Sequence, residues 1–114
     1  MQLNTEFHDT IMVVHVEADR LDAAVAIEFK DQMRNVADDG PSRVVLDLSS
    51  VKFLDSSGLG AVVASMKLLA PEHRLELAGL TPDVAKVFKL TCMDRVFVIH
   101  ESSQGAVASA SDVA

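Results

Sequence analysis

The chain has no tryptophan and no tyrosine, and five phenylalanines supply all the aromatic rings in its 114 residues. With 49% apolar residues, its core must be built mainly from aliphatic side chains. Cysteine is nearly absent as well: Cys92 is the only one. One thiol excludes an internal disulfide and leaves no pair to hold a structural zinc. That usage is consistent with a reducing compartment. Basic residues are scarce, 10 against 17 acidic ones, for a formal net charge of −7. No cluster of Lys and Arg forms a phosphate-binding face, which sets nucleic acid aside as a partner. The acidity is compatible with a basic protein partner, but solubility is the simpler reading.

Long apolar runs are missing too. The longest, Leu59 to Ala70, contains Ser65 and Lys67 and falls short of the roughly 20 residues a bilayer requires. Met1-Gln2-Leu3-Asn4-Thr5-Glu6 has neither the basic nor the apolar region of a secretory signal. The expectation is a soluble, cytoplasmic protein with no membrane contact. Its length fits one domain spanning residues 1–114 around one core.

What is present is an alternation of strand and helix signals. Leu3 to Phe7 and the β-branched run Ile11 to Val16, joined by His8-Asp9-Thr10, predict an antiparallel hairpin. Glu17 to Leu21 reads as a loop. Ala26, Phe29, Met33 and Val36 recur at helical spacing and predict an amphipathic helix over Asp22 to Ala37, with Asp22 as its cap or first-turn acid. Asp38-Asp39-Gly40-Pro41 stops it. Arg43 to Leu48 is almost wholly apolar, as in a central, covered strand. Asp47 in that strand is expected at a solvated edge or at the strand end. Ser57 to Leu69 predicts a second, well-buried helix, ended by Pro71-Glu72-His73.

Arg74 to Leu80 alternates and predicts a strand. Thr81-Pro82-Asp83 announces a third helix, with a hydroxyl cap, proline at the first helical position and an acid in the first turn. Val84, Val87 and Phe88 form its buried stripe. Arg95 to Ile99 predicts a last short strand. Glu101 to Ala114 reads as a marginal helix or frayed tail. The order β-β-α-β-α-β-α-β-α argues for an α/β domain with a mixed sheet: a hairpin, then parallel strands joined by helical crossovers.

The chemistry concentrates where Val44-Val45-Leu46-Asp47-Leu48 gives way to Phe53-Leu54-Asp55-Ser56-Ser57-Gly58-Leu59-Gly60. A strand leads into a polar turn that places two serines at a helix start, where unpaired N–H groups and a partial positive charge converge. From spacing alone Ser56 reads as a plain N-cap, stabilising the helix by about 1 kcal/mol. A phosphate on such a hydroxyl would also sit in a favourable field. Asp55 suits a turn-forming side chain. Gly58 and Gly60 suggest close backbone approach, but no Gly-Lys-Ser/Thr follows, so this is not a phosphate loop. A serine nucleophile would need a base. The nearest downstream histidine, His73, lies beyond a helix, and no Gly-x-Ser-x-Gly elbow is present, so no enzyme is expected. His8, His15, His73 and His100 lack ligand spacing, so no metal site is expected. Cys92 reads as a small core residue, and Met33, Met66 and Met93 as packing.

The turn Asp55 to Gly60, with Val45-Leu46-Asp47-Leu48 and Val51-Lys52-Phe53-Leu54 before it, resembles the STAS domain family, and within it the bacterial anti-sigma-factor antagonists. Leu21-Asp22 and Val87-Phe88-Lys89-Leu90 match more weakly. The resemblance implies that Ser56, directly after Asp55, is phosphorylated by a kinase that doubles as the anti-sigma factor. Ser57 is the alternative acceptor, and only the resemblance separates the two. It further implies that the unphosphorylated protein binds this kinase and the phosphorylated one releases it. A PP2C-type phosphatase would restore the serine. The implied partner surface comprises Leu21, Asp22, Asp55, Ser56, Ser57, Gly58 and Leu59. No cofactor is implied in the chain itself, since the kinase brings ATP and Mg²⁺.

The alternative is a constitutive STAS adaptor, stressosome-like or part of a lipid-transport complex, with Ser56 only a cap. A small nucleotide-binding module is a third reading. Two positions depart from the family pattern, which often has glycine at Ala18 and Gly-Leu at Cys92-Met93. A glycine at a helix end usually serves a positive φ.

Overall fold

A computed structural model describes residues 1–38 and 40–112, with side chains as far as residue 108. β1 (Gln2–His8) and β2 (Ile11–Glu17) form the expected antiparallel hairpin, turning at Asp9 with φ 54°. β3 (Arg20–Leu21), α1 (Ala26–Ala37), β4 (Arg43–Asp47), β5 (Phe53–Leu54) and α2 (Ser56–Leu69) follow. Next come β6 (Arg74–Ala78), α3 (Pro82–Leu90), β7 (Ile99–His100) and α4 (Ser103–Asp112). The main sheet has five strands in the order β1-β2-β4-β6-β7, parallel from β2 onward. β3 and β5 form a separate two-stranded parallel sheet.

Strand periodicity sorts the side chains to two faces. Met12, Val14, Val16, Val44, Leu46, Leu75 and Leu77 face the main core, where Phe29 and Met33 of α1, Val62 of α2 and Phe88 of α3 meet them. Phe88 meets Phe97 edge to face, with ring centres 6.0 Å apart. Ile11, Val13, Val45 and Ala78 face the other way and are covered by Ala106 of α4. Cover on both sides explains why β4 reads as a continuous apolar run. Met33 is buried, and Met66 and Met93 pack on the core as expected. Among the described residues, no helix is long and apolar enough to cross a membrane.

Several boundaries differ from the sequence reading, each for a local reason. α1 begins at Ala26, with Val25 at the cap position, so Asp22 does not cap it. The Asp22 carboxylate instead accepts from the Ala24 N–H (3.1 Å), forming a local turn that postpones the helix. Arg20–Leu21, expected as loop, is a strand. The last strand is shorter and later than Arg95 to Ile99. Met93–Arg95 form a 3-10 turn that carries Phe97 into the core, and the first bond to β6 runs from Leu77 N–H to Val98 O. Cys92 is exposed and not a core residue: it adopts φ 60°, the left-handed conformation glycine usually supplies. Ala18 needs no positive φ. The tail expectation for Glu101 to Ala114 resolves into helix as far as Asp112; residues 113 and 114, like Asp39 of the expected stop signal, lie outside the described residues.

Asp47 ends β4 but is buried. Its carboxylate accepts from the Ser49 N–H (2.9 Å) and lies 3.0 Å from His15 Nδ1. Glu76 is likewise buried on the same face of the sheet, held by two bonds from the Arg43 guanidinium (2.9 and 2.7 Å) and one to His100 (2.7 Å). Burial pushes its pKa up, but the bonds from Arg43 and His100 outweigh that and hold it below the usual carboxylate range.

Candidate functional site

The turn expected from the sequence to carry the chemistry forms where the small β3–β5 sheet meets the start of α2. Leu21 pairs with Leu54, and Arg20 with Phe53. This brings the Leu21-Asp22 segment against the Asp55–Gly60 turn, although some thirty residues of chain separate them. The Arg20 guanidinium lies 4.3 Å from the centre of the Phe53 ring and 3.2 Å from the Asp22 carboxylate. Sequence reasoning missed this Arg20–Phe53 stack, because a two-residue strand has no periodicity to detect.

Asp55 is the hub. It occupies the cap position of α2 with extended backbone (φ −97°, ψ −176°). Its Oδ1 accepts from the Gly58 N–H at 2.8 Å, and its Oδ2 accepts from the Ala23 N–H at 3.2 Å. One carboxylate therefore caps the helix and ties the 21–24 segment to it. The turn-forming role expected of Asp55 is present and extends across the site.

This arrangement corrects the plain-cap reading of Ser56. α2 starts one residue earlier than expected, so Ser56 is its first helical residue and does not cap it. Ser56 and Ser57 are both exposed, and neither hydroxyl has a hydrogen bond among the described residues. The capping requirement is met by the neighbouring carboxylate, and both hydroxyls face solvent at the positive end of the helix.

Gly58 is buried inside this junction. A Cβ there would overlap the carbonyl oxygen of Leu21, and would lie 2.7 Å from its carbonyl carbon and 2.9 Å from a Leu54 methyl. Glycine is needed for close approach and not for turn geometry, since Gly58 is helical. Gly60 differs from expectation: nothing lies within 4 Å of a Cβ added there. Leu21 is buried, Asp22 and Leu59 are half-buried, and Leu59 packs against the core. Of the residues marked from the sequence, Asp22, Asp55, Ser56 and Ser57 present polar groups here. Leu21, Gly58 and Leu59 shape the junction beneath them.

The two hydroxyls of the site lie on the surface. The site offers no imidazole among its polar groups. Among the described residues no group of three His, Cys, Asp or Glu is placed to hold a metal ion.

The fold that holds this turn is shared with known proteins. An anti-sigma-B factor antagonist of Staphylococcus aureus is 23% identical over 105 residues, covering 91% of this chain and 96% of that protein. The crystal structure of an anti-sigma factor antagonist from Mycobacterium paratuberculosis superposes with a TM-score of 0.83 at 28% identity, covering 95% of this chain and 92% of that one. The anti-sigma factor antagonist SpoIIAA in its unphosphorylated form superposes with a TM-score of 0.77 at 20% identity, covering 99% of both chains. The phosphorylated form of SpoIIAA, a Bacillus cell fate determinant, superposes with a TM-score of 0.68 at 19% identity, covering 96% of this chain and 99% of that one. The fold extends to a sulfate transporter family protein from Wolinella succinogenes, with a TM-score of 0.76 at 15% identity and coverage of 90% and 86%. The STAS domain model matches residues 2–106, and on that match over nearly the whole length the chain belongs to the STAS domain family.

Proposed function

We propose that this protein is an anti-sigma-factor antagonist of a partner-switching pathway. Unphosphorylated, it binds an anti-sigma serine kinase through the face made by Leu21, Asp22, Asp55, Ser56, Ser57, Gly58 and Leu59. Phosphorylated on Ser56 by that kinase, using ATP and Mg²⁺, it lets go. A PP2C-type phosphatase resets it. The protein acts as a substrate and a binding partner in the cytoplasm, and catalyses nothing itself.

The observation that carries this reading is the division of labour between Asp55 and Ser56. A serine that capped α2 would hold its oxygen against a backbone N–H of the helix and not present it to a partner. Here Asp55 is the cap, and the Ser56 hydroxyl is exposed at the first helical position. A phosphate adds about −1.5 to −2 charges at pH 7. The helix end tolerates that charge, so the fold survives. Asp55 adds a like charge beside the phosphate, and a partner carboxylate or apolar patch laid over the phosphate would be repelled or desolvated at high cost. Binding is lost while the domain remains intact.

The test is phosphosite mapping by mass spectrometry on protein purified from its host, with and without phosphatase inhibition. Binding of the captured kinase by Ser56→Ala, Ser57→Ala and Ser56→Asp follows. The expected result is one phosphate on Ser56, full binding by both alanine variants, and binding weakened by about tenfold or more in Ser56→Asp (1.4 kcal/mol per decade). A phosphate on Ser57, or wild-type affinity in folded Ser56→Asp, overturns the assignment. No phosphate under any growth condition favours the constitutive adaptor, a role in keeping with the occurrence of this fold in a sulfate transporter family protein.

A further inference from the structure

The main sheet has two edges, and they are treated differently. β7 is a two-residue edge, half-buried, with the 3-10 turn and Phe97 before it. β1 is a seven-residue edge in which every residue except Leu3 is exposed. Natural edges are usually protected by proline, lysine, a bulge, shortness or cover. Among the described residues, β1 has none of these. Its sequence, Gln-Leu-Asn-Thr-Glu-Phe-His, holds no proline and no lysine, and its pairing with β2 runs unbroken from Gln2↔Glu17 to His8↔Ile11. Its single carboxylate, Glu6, is engaged by His15 (2.6 Å) and His8 (3.1 Å). The hydrogen bond with His8, then the hydrogen bond and charge of His15, hold the Glu6 pKa below the usual carboxylate range. Phe7 is 66% exposed on this strand.

The hairpin determines which backbone groups point outward. In a hairpin closed by a two-residue turn, the last pair, here His8 and Ile11, exchanges hydrogen bonds within the hairpin. Alternation then directs Gln2, Asn4 and Glu6 inward as well, and leaves the N–H and C=O of Leu3, Thr5 and Phe7 facing out. These six groups are self-complementary. An antiparallel pairing with a two-fold axis through Thr5 sets Thr5 against Thr5 and Leu3 against Phe7 of the second copy, and satisfies all of them. The side chains agree with this register. Exposed Phe7 gains an aliphatic neighbour, Asn4 faces Glu6 of the second copy, and Gln2 faces His8. Centring the pair on Glu6 would oppose two carboxylates, which is destabilising. Centring it on Asn4 would move Phe7 past the start of the other copy's strand.

We infer that β1 is a homodimerisation edge: two copies join through antiparallel β1–β1 pairing centred on Thr5, making one continuous sheet. No residue of β1 belongs to the Asp55–Gly60 site, so the dimer would present two such sites.

The test is sedimentation equilibrium of the full chain from micromolar to millimolar concentration, with amide hydrogen exchange at both ends of that range. The expected result is a concentration-dependent dimer in which exchange at Leu3, Thr5 and Phe7 slows by about tenfold or more, while Asn4 and Glu6 exchange as in the monomer. Thr5→Pro removes an outward N–H that the monomer does not use and should abolish the dimer with the melting temperature nearly unchanged. Phe7→Lys should do the same and serves if the proline variant fails to fold. A wild-type protein that stays monomeric at millimolar concentration overturns the inference. So does a dimer that survives folded Thr5→Pro or Phe7→Lys, or protection that appears on a different element.

Discussion

α2 and α3 each follow a parallel strand, and their first turns are completed by opposite means. At α2 the residue before the helix is Asp55, whose carboxylate caps the Gly58 N–H and holds the Ala23 N–H. The serine that follows is left with a free hydroxyl in solvent. At α3 the residue before the helix is Thr81, and its hydroxyl is turned away from the helix to donate to Val51 O at 2.7 Å. The expected hydroxyl cap is therefore at the cap position but makes no cap bond. Proline, with neither N–H nor hydroxyl, occupies the first helical position there. At the α3 start the hydroxyl is committed to the fold. The α2 start separates the structural carboxylate from two exposed hydroxyls, so a change at the hydroxyls leaves the cap bond in place.

The comparison can be broken most severely at Gly58. Gly58→Ala drives a methyl into the Leu21 carbonyl and should cost about 1–3 kcal/mol or more. Gly60→Ala, in the same helix with open space around it, should be neutral or stabilising by up to about 1 kcal/mol. Thermal melts of the two variants read both effects, and equal melting temperatures would refute the close-approach account.

A smaller loss separates Asp55 from Ser56. Asp55→Ala should cost about 1–2 kcal/mol in urea unfolding and loosen the 21–24 segment, while Ser56→Ala should stay within about 0.5 kcal/mol of wild type. A Ser56→Ala loss as large as that of Asp55→Ala would return Ser56 to the role of cap. The smallest of the expected losses is at α3. Thr81→Val should cost about 1 kcal/mol by leaving Val51 O without its donor, with hydrogen exchange quickening at both Val51 and the first turn of α3. Thr81 would then be the hydroxyl that carries structure, and Ser56 the one that does not.

Much of this was legible in the residues. The β-branched run Ile11 to Val16, the apolar run through Val44 to Leu48 and the stripe Phe29–Met33 each imposed their element, because strand and helix periods differ and burial selects between them. What escaped were features defined by distant partners. Arg20–Leu21 is a strand only because Phe53–Leu54 lies beside it. Asp47 is buried only because His15 and the Ser49 N–H reach it. The strand-like run from Arg95 turned instead, because Phe97 is drawn to Phe88.

The site divides in the same way. The strand-turn-helix frame with polar residues at its turn follows from local pattern alone, since propensity, capping chemistry and hydrophobic period act over a few residues. Which of the adjacent polar side chains caps the helix, why Gly58 must be glycine, and how Leu21-Asp22 comes to lie against the turn were decided only in the tertiary structure. The cap bond itself spans three residues, but the second bond of Asp55 and the other two features depend on contacts between segments some thirty residues apart, and short-range pattern contains no record of which backbone will arrive there.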